Sequence, residues 1–200
     1  MRREHITTQG GGVLPIGYTQ LEYIESTGTQ YIDTGVYGSN NTDLFIKYQV
    51  NSTGNGNAII IGGANTYNTR AIELFTWGNV QYLTYGNTQN ILRNSVSAGI
   101  FEIDITGNIV TFTGNGTTTT TSINKGSFTT PVTLKLFAFD RYSQGGISAI
   151  TRQAKIYSCE IKNERLYVPA LRLLDNKPGL YDLVTNTFFT NAGSGEFLYE

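Results

Sequence analysis

What most constrains this chain is a unit that recurs along it: a short run of alternating apolar and polar residues, a turn, and a second run. Phe101, Ile103 and Ile105 alternate with Glu102, Asp104 and Thr106; Gly107-Asn108 follows, and Ile109 to Thr113 resumes the pattern. Successive side chains of a strand point to opposite faces, so a period of two makes one face apolar. Gly and Asn supply the positive φ angles of a tight hairpin turn. Leu44, Ile46, Tyr48 and Val50 alternate with Phe45, Lys47 and Gln49 in the same way. Ala71 to Thr76 and Gln81 to Tyr85 flank Trp77-Gly78-Asn79-Val80, and Lys155 to Ile161 and Arg165 to Val168 flank Lys162-Asn163-Glu164. Gly179 to Val184, a turn at Thr185-Asn186 and Thr187 to Thr190 close the chain. Ala58-Ile59-Ile60-Ile61, apolar throughout and stopped by Gly62-Gly63, reads as a strand buried on both faces. Thr117 to Thr121 is β-branched but polar, which suits an exposed edge strand or a loop. Val132, Leu134, Leu136 and Ala138 form one face of a further strand.

No segment sustains a helical period. Strands every 8–12 residues or so, with turns between them, predict an all-β fold, a jelly-roll sandwich of two antiparallel sheets. The 200 residues suit one such domain, expected over residues 13–200. Leu134, Leu136, Ile103, Ile46 and Ile156 are its expected core. Residues 1–12 are polar and end in three glycines, and they read as a flexible N-terminal arm. That arm holds Arg2, Arg3 and Ile6, the groups expected to dock on a partner.

Composition excludes several classes of function. Fourteen basic and 15 acidic residues give a net charge of −1. Beyond Arg2-Arg3 there is no basic cluster of the kind that releases counterions from nucleic acid, so none is expected as partner. One cysteine, Cys159, and one histidine, His5, exclude an intramolecular disulfide, a cysteine zinc site and an ordinary Ser-His-Asp triad. Asp33, Asp43 and Asp140 are scattered, with no Asp-x-Asp loop, so no calcium or other cofactor is expected. No apolar run reaches the length of a membrane span. The basic start lacks the apolar stretch of a secretory signal, so the protein is expected either to stay in the cell that makes it or to leave by lysis.

Two stretches resemble a known family. One is Leu14-Pro15-Ile16-Gly17-Tyr18-Thr19-Gln20-Leu21-Glu22-Tyr23-Ile24-Glu25-Ser26-Thr27-Gly28-Thr29-Gln30-Tyr31-Ile32-Asp33-Thr34-Gly35. The other joins Lys155 to Ile161, Leu166 to Ala170, and Gly179-Leu180-Tyr181-Asp182-Leu183-Val184-Thr185-Asn186-Thr187-Phe188-Phe189-Thr190 with its Asn191 to Gly195 tail. Both are similar to the laminin-G-like, concanavalin A-like jelly rolls of phage and prophage structural proteins. The resemblance implies a virion surface module: a capsid decoration, a head fibre or a tail-associated part. It implies virion shell or tail proteins as partners, cell-surface glycans as ligands, and self-association into a homo-oligomer. With so little chain ahead of the motif, a small stand-alone protein is expected. The alternatives are a carbohydrate-binding adhesion module unrelated to a virion and a degenerate family-16-type glycoside hydrolase. In this fold the first and last strands commonly share a sheet, so Tyr23, Ile24, Tyr31 and Ile32 are expected to meet Phe188, Phe189 and Phe197.

Three features carry candidate chemistry. Glu102-Ile103-Asp104-Ile105 resembles the start of the catalytic strand of family-16 glycoside hydrolases, but Thr106-Gly107-Asn108 stands where that pattern requires a further Glu. Retaining hydrolysis needs two carboxyls about 5–5.5 Å apart, so a solvent-facing acidic stripe and no catalysis are expected. Trp77, with Tyr82 and Tyr85, is a candidate aromatic platform for a sugar. Asp140, Arg141, Tyr142 and Gln144, in a polar Gly-rich stretch, are candidate ligand-binding residues on a rim loop.

Overall fold

The computed structural model describes residues 14–50, 57–89, 91–95, 98–151 and 153–200. The expected arm, with Arg2, Arg3 and Ile6, lies outside the described residues. In chain order the strands are β1 (Tyr18–Gln20), β2 (Ile24–Ser26), β3 (Ile32–Ser39), β4 (Leu44–Val50), β5 (Asn57–Gly63), β6 (Ala71–Trp77), β7 (Val80–Gly86), β8 (Arg93–Ser95), β9 (Gly99–Thr106) and β10 (Ile109–Gly114). There follow β11 (Thr117–Ser122), β12 (Thr129–Leu136), β13 (Ala138–Arg141), β14 (Gly146–Ile150), β15 (Ala154–Ile161), β16 (Arg165–Arg172), β17 (Lys177–Asp182), β18 (Thr187–Thr190) and β19 (Leu198–Tyr199). Among the described residues there is no α-helix, only a 3-10 turn at Tyr142–Gln144.

Two large antiparallel sheets pack as a jelly-roll sandwich, and β13 and β14 form a separate two-stranded ribbon. The larger sheet runs β11-β10-β9-β4-β15-β16-β17-β18, with β1 added on β16, β2 on β15 and β19 on β2; the smaller runs β3-β12-β5-β6-β7-β8. Alternation decides what lies between them. Ile46, Ile103 and Ile156 of the larger sheet and Leu134, Leu136, Ile72 and Leu74 of the smaller all have zero exposure and share one core. The expected hairpins are present: Thr106 pairs with Ile109 across Gly107-Asn108, and Trp77 with Val80. Gly107 takes φ +54 at that turn, where a side chain would be strained. The threonine run is the exposed edge strand β11.

Two expectations need correction. The face begun by Val132, Leu134 and Leu136 does not continue to Ala138. Phe137 sits at φ +68, uncommon for a bulky side chain, and turns the chain out of the sheet. Its ring is fully buried, 5.5 Å from Phe197, and its N–H donates to Ile60 O at 3.0 Å. These contacts hold the unusual angle, and Ala138 opens β13 instead. The second concerns the seam between the chain ends. The ends do pair, Tyr199 opposite Ile24, and Ala192 donates to Tyr31 O at 2.9 Å. The aromatic partners, however, are Tyr18 with Phe188, Tyr167 with Phe189, and Phe137 with Phe197, while Tyr23 packs on Tyr157.

Candidate functional site

The outer face of the smaller sheet is built in rows. One row crosses the sheet as Asp33–Lys135–Gly62–Glu73–Thr84, from β3 to β7. Gly62 sits in the middle because another backbone crosses there. A Cβ at Gly62 would stand 2.6 Å from Phe139 Cδ1 and 2.7 Å from Ala138 O. The β13–β14 ribbon thus lies on this face, and it brings Asp140 and Arg141 down onto the charged row. Lys135 Nζ is held between Asp33 at 2.9 Å and Asp140 at 3.1 Å, and Arg141 Nε donates to Glu73 Oε1 at 2.8 Å. Glu73 has no exposure at all. Burial pushes its carboxyl up from the ordinary range, and the Arg141 guanidinium offsets part of that. Asp33 is also penalised by burial, but hydrogen bonds from Thr133, the Gly35 N–H and Lys135 hold it below the usual value.

Next along β6 comes an apolar row, Ile59–Phe75–Tyr82, capped by Phe139 of the ribbon. Tyr82 stacks on Phe75 at 5.3 Å, and Phe139 meets Phe75 edge-on at 5.1 Å. The last row is Asn57–Trp77–Val80, at the tip of the β6–β7 hairpin. Here the ribbon no longer covers the sheet, and Trp77 is 62% exposed. Tyr82 lies diagonally across from Trp77, a spacing that aromatic side chains bridge.

The expected ligand-binding residues therefore separate. Asp140 and Arg141 are not on a rim loop: they are strand residues, buried and engaged by Lys135 and Glu73. The Arg141 guanidinium lies over the rings of Phe139, at 4.4 Å, and Tyr67, at 4.8 Å. Tyr142 and Gln144 are exposed, on a turn tied by Tyr142 N to Ala64 O and Ser143 N to Asn65 O. With exposed Tyr67 they form a second polar-aromatic patch at the level of Ala64, which lies beside Ala71 of β6, roughly 20 Å from Trp77 by strand rise. Tyr85 leaves the platform altogether. Its ring is buried on the inner face and its hydroxyl donates to Ser39 O and Thr42 O. Burial raises its pKa, with the nearby Asp43 charge adding to the effect. Sequence reasoning missed Lys135, Glu73, Tyr67 and Asn57, whose roles depend on partners brought by the ribbon or the hairpin.

On the opposite face of the molecule the acidic stripe of β9 is matched to lysines. Glu102 pairs with Lys47 at 3.2 Å and Asp104 with Lys162 at 2.6 Å. Asp33 and Asp140 do converge in space, but on the ammonium of Lys135, and Asp43 lies 2.7 Å from Lys125. Cys159 is buried, and burial lifts its thiol pKa.

No protein-family model and no curated protein matches the chain. Among solved structures, it is similar to the CBM40 module of the Ruminococcus gnavus IT-sialidase bound to α2,3-sialyllactose. The two are 12% identical, over 70% of this chain and 90% of that one, with a TM-score of 0.41.

Proposed function

We propose that this chain is a glycan-binding module whose binding surface is the uncovered part of the smaller sheet's outer face, with Trp77 as its stacking group. One observation carries the reading. The β13–β14 ribbon buries Phe75 and shields part of Tyr82, yet leaves the largest aromatic of the same face open to solvent. Burying a large side chain is worth about 1.5–3 kcal/mol, and the fold forgoes most of that at Trp77. An open indole offers a flat apolar surface to the C–H face of a sugar, and Asn57 beside it supplies both a donor and an acceptor for hydroxyls. The patch around Tyr67, Tyr142 and Gln144 lies along the same face and extends the surface for a longer chain.

The reading is of binding without turnover, since each acid of the β9 stripe faces a lysine rather than a second carboxyl. For the setting, the two end motifs favour a virion surface, with residues 2–12 as the attachment to shell or tail proteins. A glycan array probed with the full chain tests the binding: retention of one glycan class by the wild type and its loss in Trp77→Ala is the expected result. Equal retention by both would end it. Deleting residues 2–12 tests the setting, by its effect on incorporation into particles with glycan retention unchanged.

A further inference from the structure

At the far end of β7 from Trp77, roughly 17 Å away by strand rise, three turns enclose an open polar cleft of about 490 Å³. They are the β3–β4 turn with Asn41 and Asp43, the β9–β10 turn with Asn108, and the β11–β12 connection with Asn124 and Lys125. The cleft is open and polar, so a ligand there is held by hydrogen bonds rather than by burial of apolar surface. From this geometry we infer that the cleft is a second saccharide site, specific for uncharged sugars. The inference rests on the reading of the chain as a glycan binder, but on none of the residues around Trp77.

The cleft is fixed before any ligand arrives. Both oxygens of Asp43 accept from the Gly107 N–H at 3.1 Å, and Lys125 Nζ approaches Asp43 Oδ1 at 2.7 Å. The Lys125 side chain is only 9% exposed, and its ammonium stands 5.2 Å above the ring of Tyr85. Tyr85 in turn pins the β3–β4 turn through Ser39 O and Thr42 O. Asn124 Oδ1 accepts the Gly126 N–H at 3.2 Å, and Asn40 Nδ2 donates to Asn41 Oδ1 at 3.1 Å. Held loops reduce the ordering cost of binding.

What the walls present is amide chemistry. Asn41, Asn108 and Asn124 are exposed residues of the lining, and among the described residues their Nδ2 groups donate to no protein acceptor. Side-chain amides combine donors and an acceptor on one planar group, which suits adjacent hydroxyls that must each give and take a hydrogen bond. Among the described residues, the charged ones of the lining, Asp43 and Lys125, neutralise each other at 2.7 Å. An anionic sugar finds no unpaired cation there and faces the Asp43 carboxylate, so the cleft selects neutral rings.

NMR titration of the full-length chain tests this, using methyl glycosides of glucose, galactose, mannose and N-acetylglucosamine, with free sialic acid as the anionic probe. At least one neutral glycoside is expected to shift the backbone amides of Gly107, Asn108 and Gly126 saturably, while sialic acid leaves them still. Asn108→Ala should weaken that binding about fivefold, the scale of one lost hydrogen bond, and Asn41→Ala should act in the same direction. Trp77→Ala should leave these shifts intact. Shifts confined to the indole and the amides around Trp77 would overturn the cleft and keep the platform reading. Sialic acid binding at Gly107, or none of the neutral probes moving the cleft amides, would also overturn it.

Discussion

Two ion pairs, one on each outer face of the sandwich, sit in opposite surroundings. On the larger sheet, Lys47 and Glu102 meet at 3.2 Å with both side chains 40% exposed. On the smaller sheet, Arg141 and Glu73 meet at 2.8 Å with Glu73 wholly buried. Exposed pairs contribute about 0–1 kcal/mol, because water screens them and long side chains lose freedom. Buried pairs recover their desolvation cost only with good geometry, but a charge left without its partner is severely destabilising. The Lys47–Glu102 pair is thus part of a solvated surface. The smaller sheet's charges act as a lock: they fix where the β13–β14 ribbon lies, and thereby which aromatics stay open.

That contrast can be broken experimentally. Arg141→Ala strands the Glu73 carboxyl and is expected to cost about 3–5 kcal/mol of stability, read by denaturant unfolding. A loss below about 1 kcal/mol would mean that the ribbon does not depend on the pair. Leu136→Ala, in the core beneath both faces, is expected to cost about 2–5 kcal/mol through lost burial and a cavity; it is the yardstick for the charged lock.

The pH dependence sharpens the comparison. Glu73 has a raised folded-state pKa, so the folded state holds its proton longer than the unfolded chain does. Its contribution favours folding below the ordinary glutamate range and is lost as pH rises from there through the folded value. Asp33, with a lowered pKa, contributes above the ordinary aspartate range and loses that contribution as pH falls. Glu73→Gln removes the first effect alone. Unfolding midpoints measured from neutral to mildly acidic pH should therefore fall more steeply in Glu73→Gln than in the wild type. Parallel curves would contradict the raised pKa of Glu73. The smallest effect is expected on the other face: Glu102→Gln should change stability by about 0–1 kcal/mol, and neither it nor the wild type should release sugar from laminarin.

The hairpins were legible in the sequence because their determinants are local. Gly107-Asn108 sets its own turn, and the flanking alternation fixes which residues face the core. The direction of Asp140 and Arg141 was not legible. A polar, Gly-flanked stretch reads as a rim loop, and Glu73, the partner that buries Arg141, lies 68 positions away. Nor did the alternation of Val132, Leu134 and Leu136 reveal that Phe137 leaves the sheet, since a positive φ on a bulky residue is imposed by its packing. The aromatic platform was partly legible. Tyr82 and Tyr85 are three apart on one strand, an odd spacing that puts them on opposite faces. That parity separates the buried Tyr85 from the face that carries Trp77.

Trp77 is the only tryptophan, so indole emission reports on this position without interference. Fluorescence titration with the glycan retained on the array is the most direct test of the central claim. Stacking removes the indole from water, and the emission should shift to shorter wavelength, saturably and in step with binding measured by calorimetry. Trp77→Ala should weaken the calorimetric affinity at least about tenfold, as expected for an aromatic anchor, with the unfolding midpoint unchanged. Glycan binding that leaves the emission untouched and survives Trp77→Ala at full affinity would contradict the account.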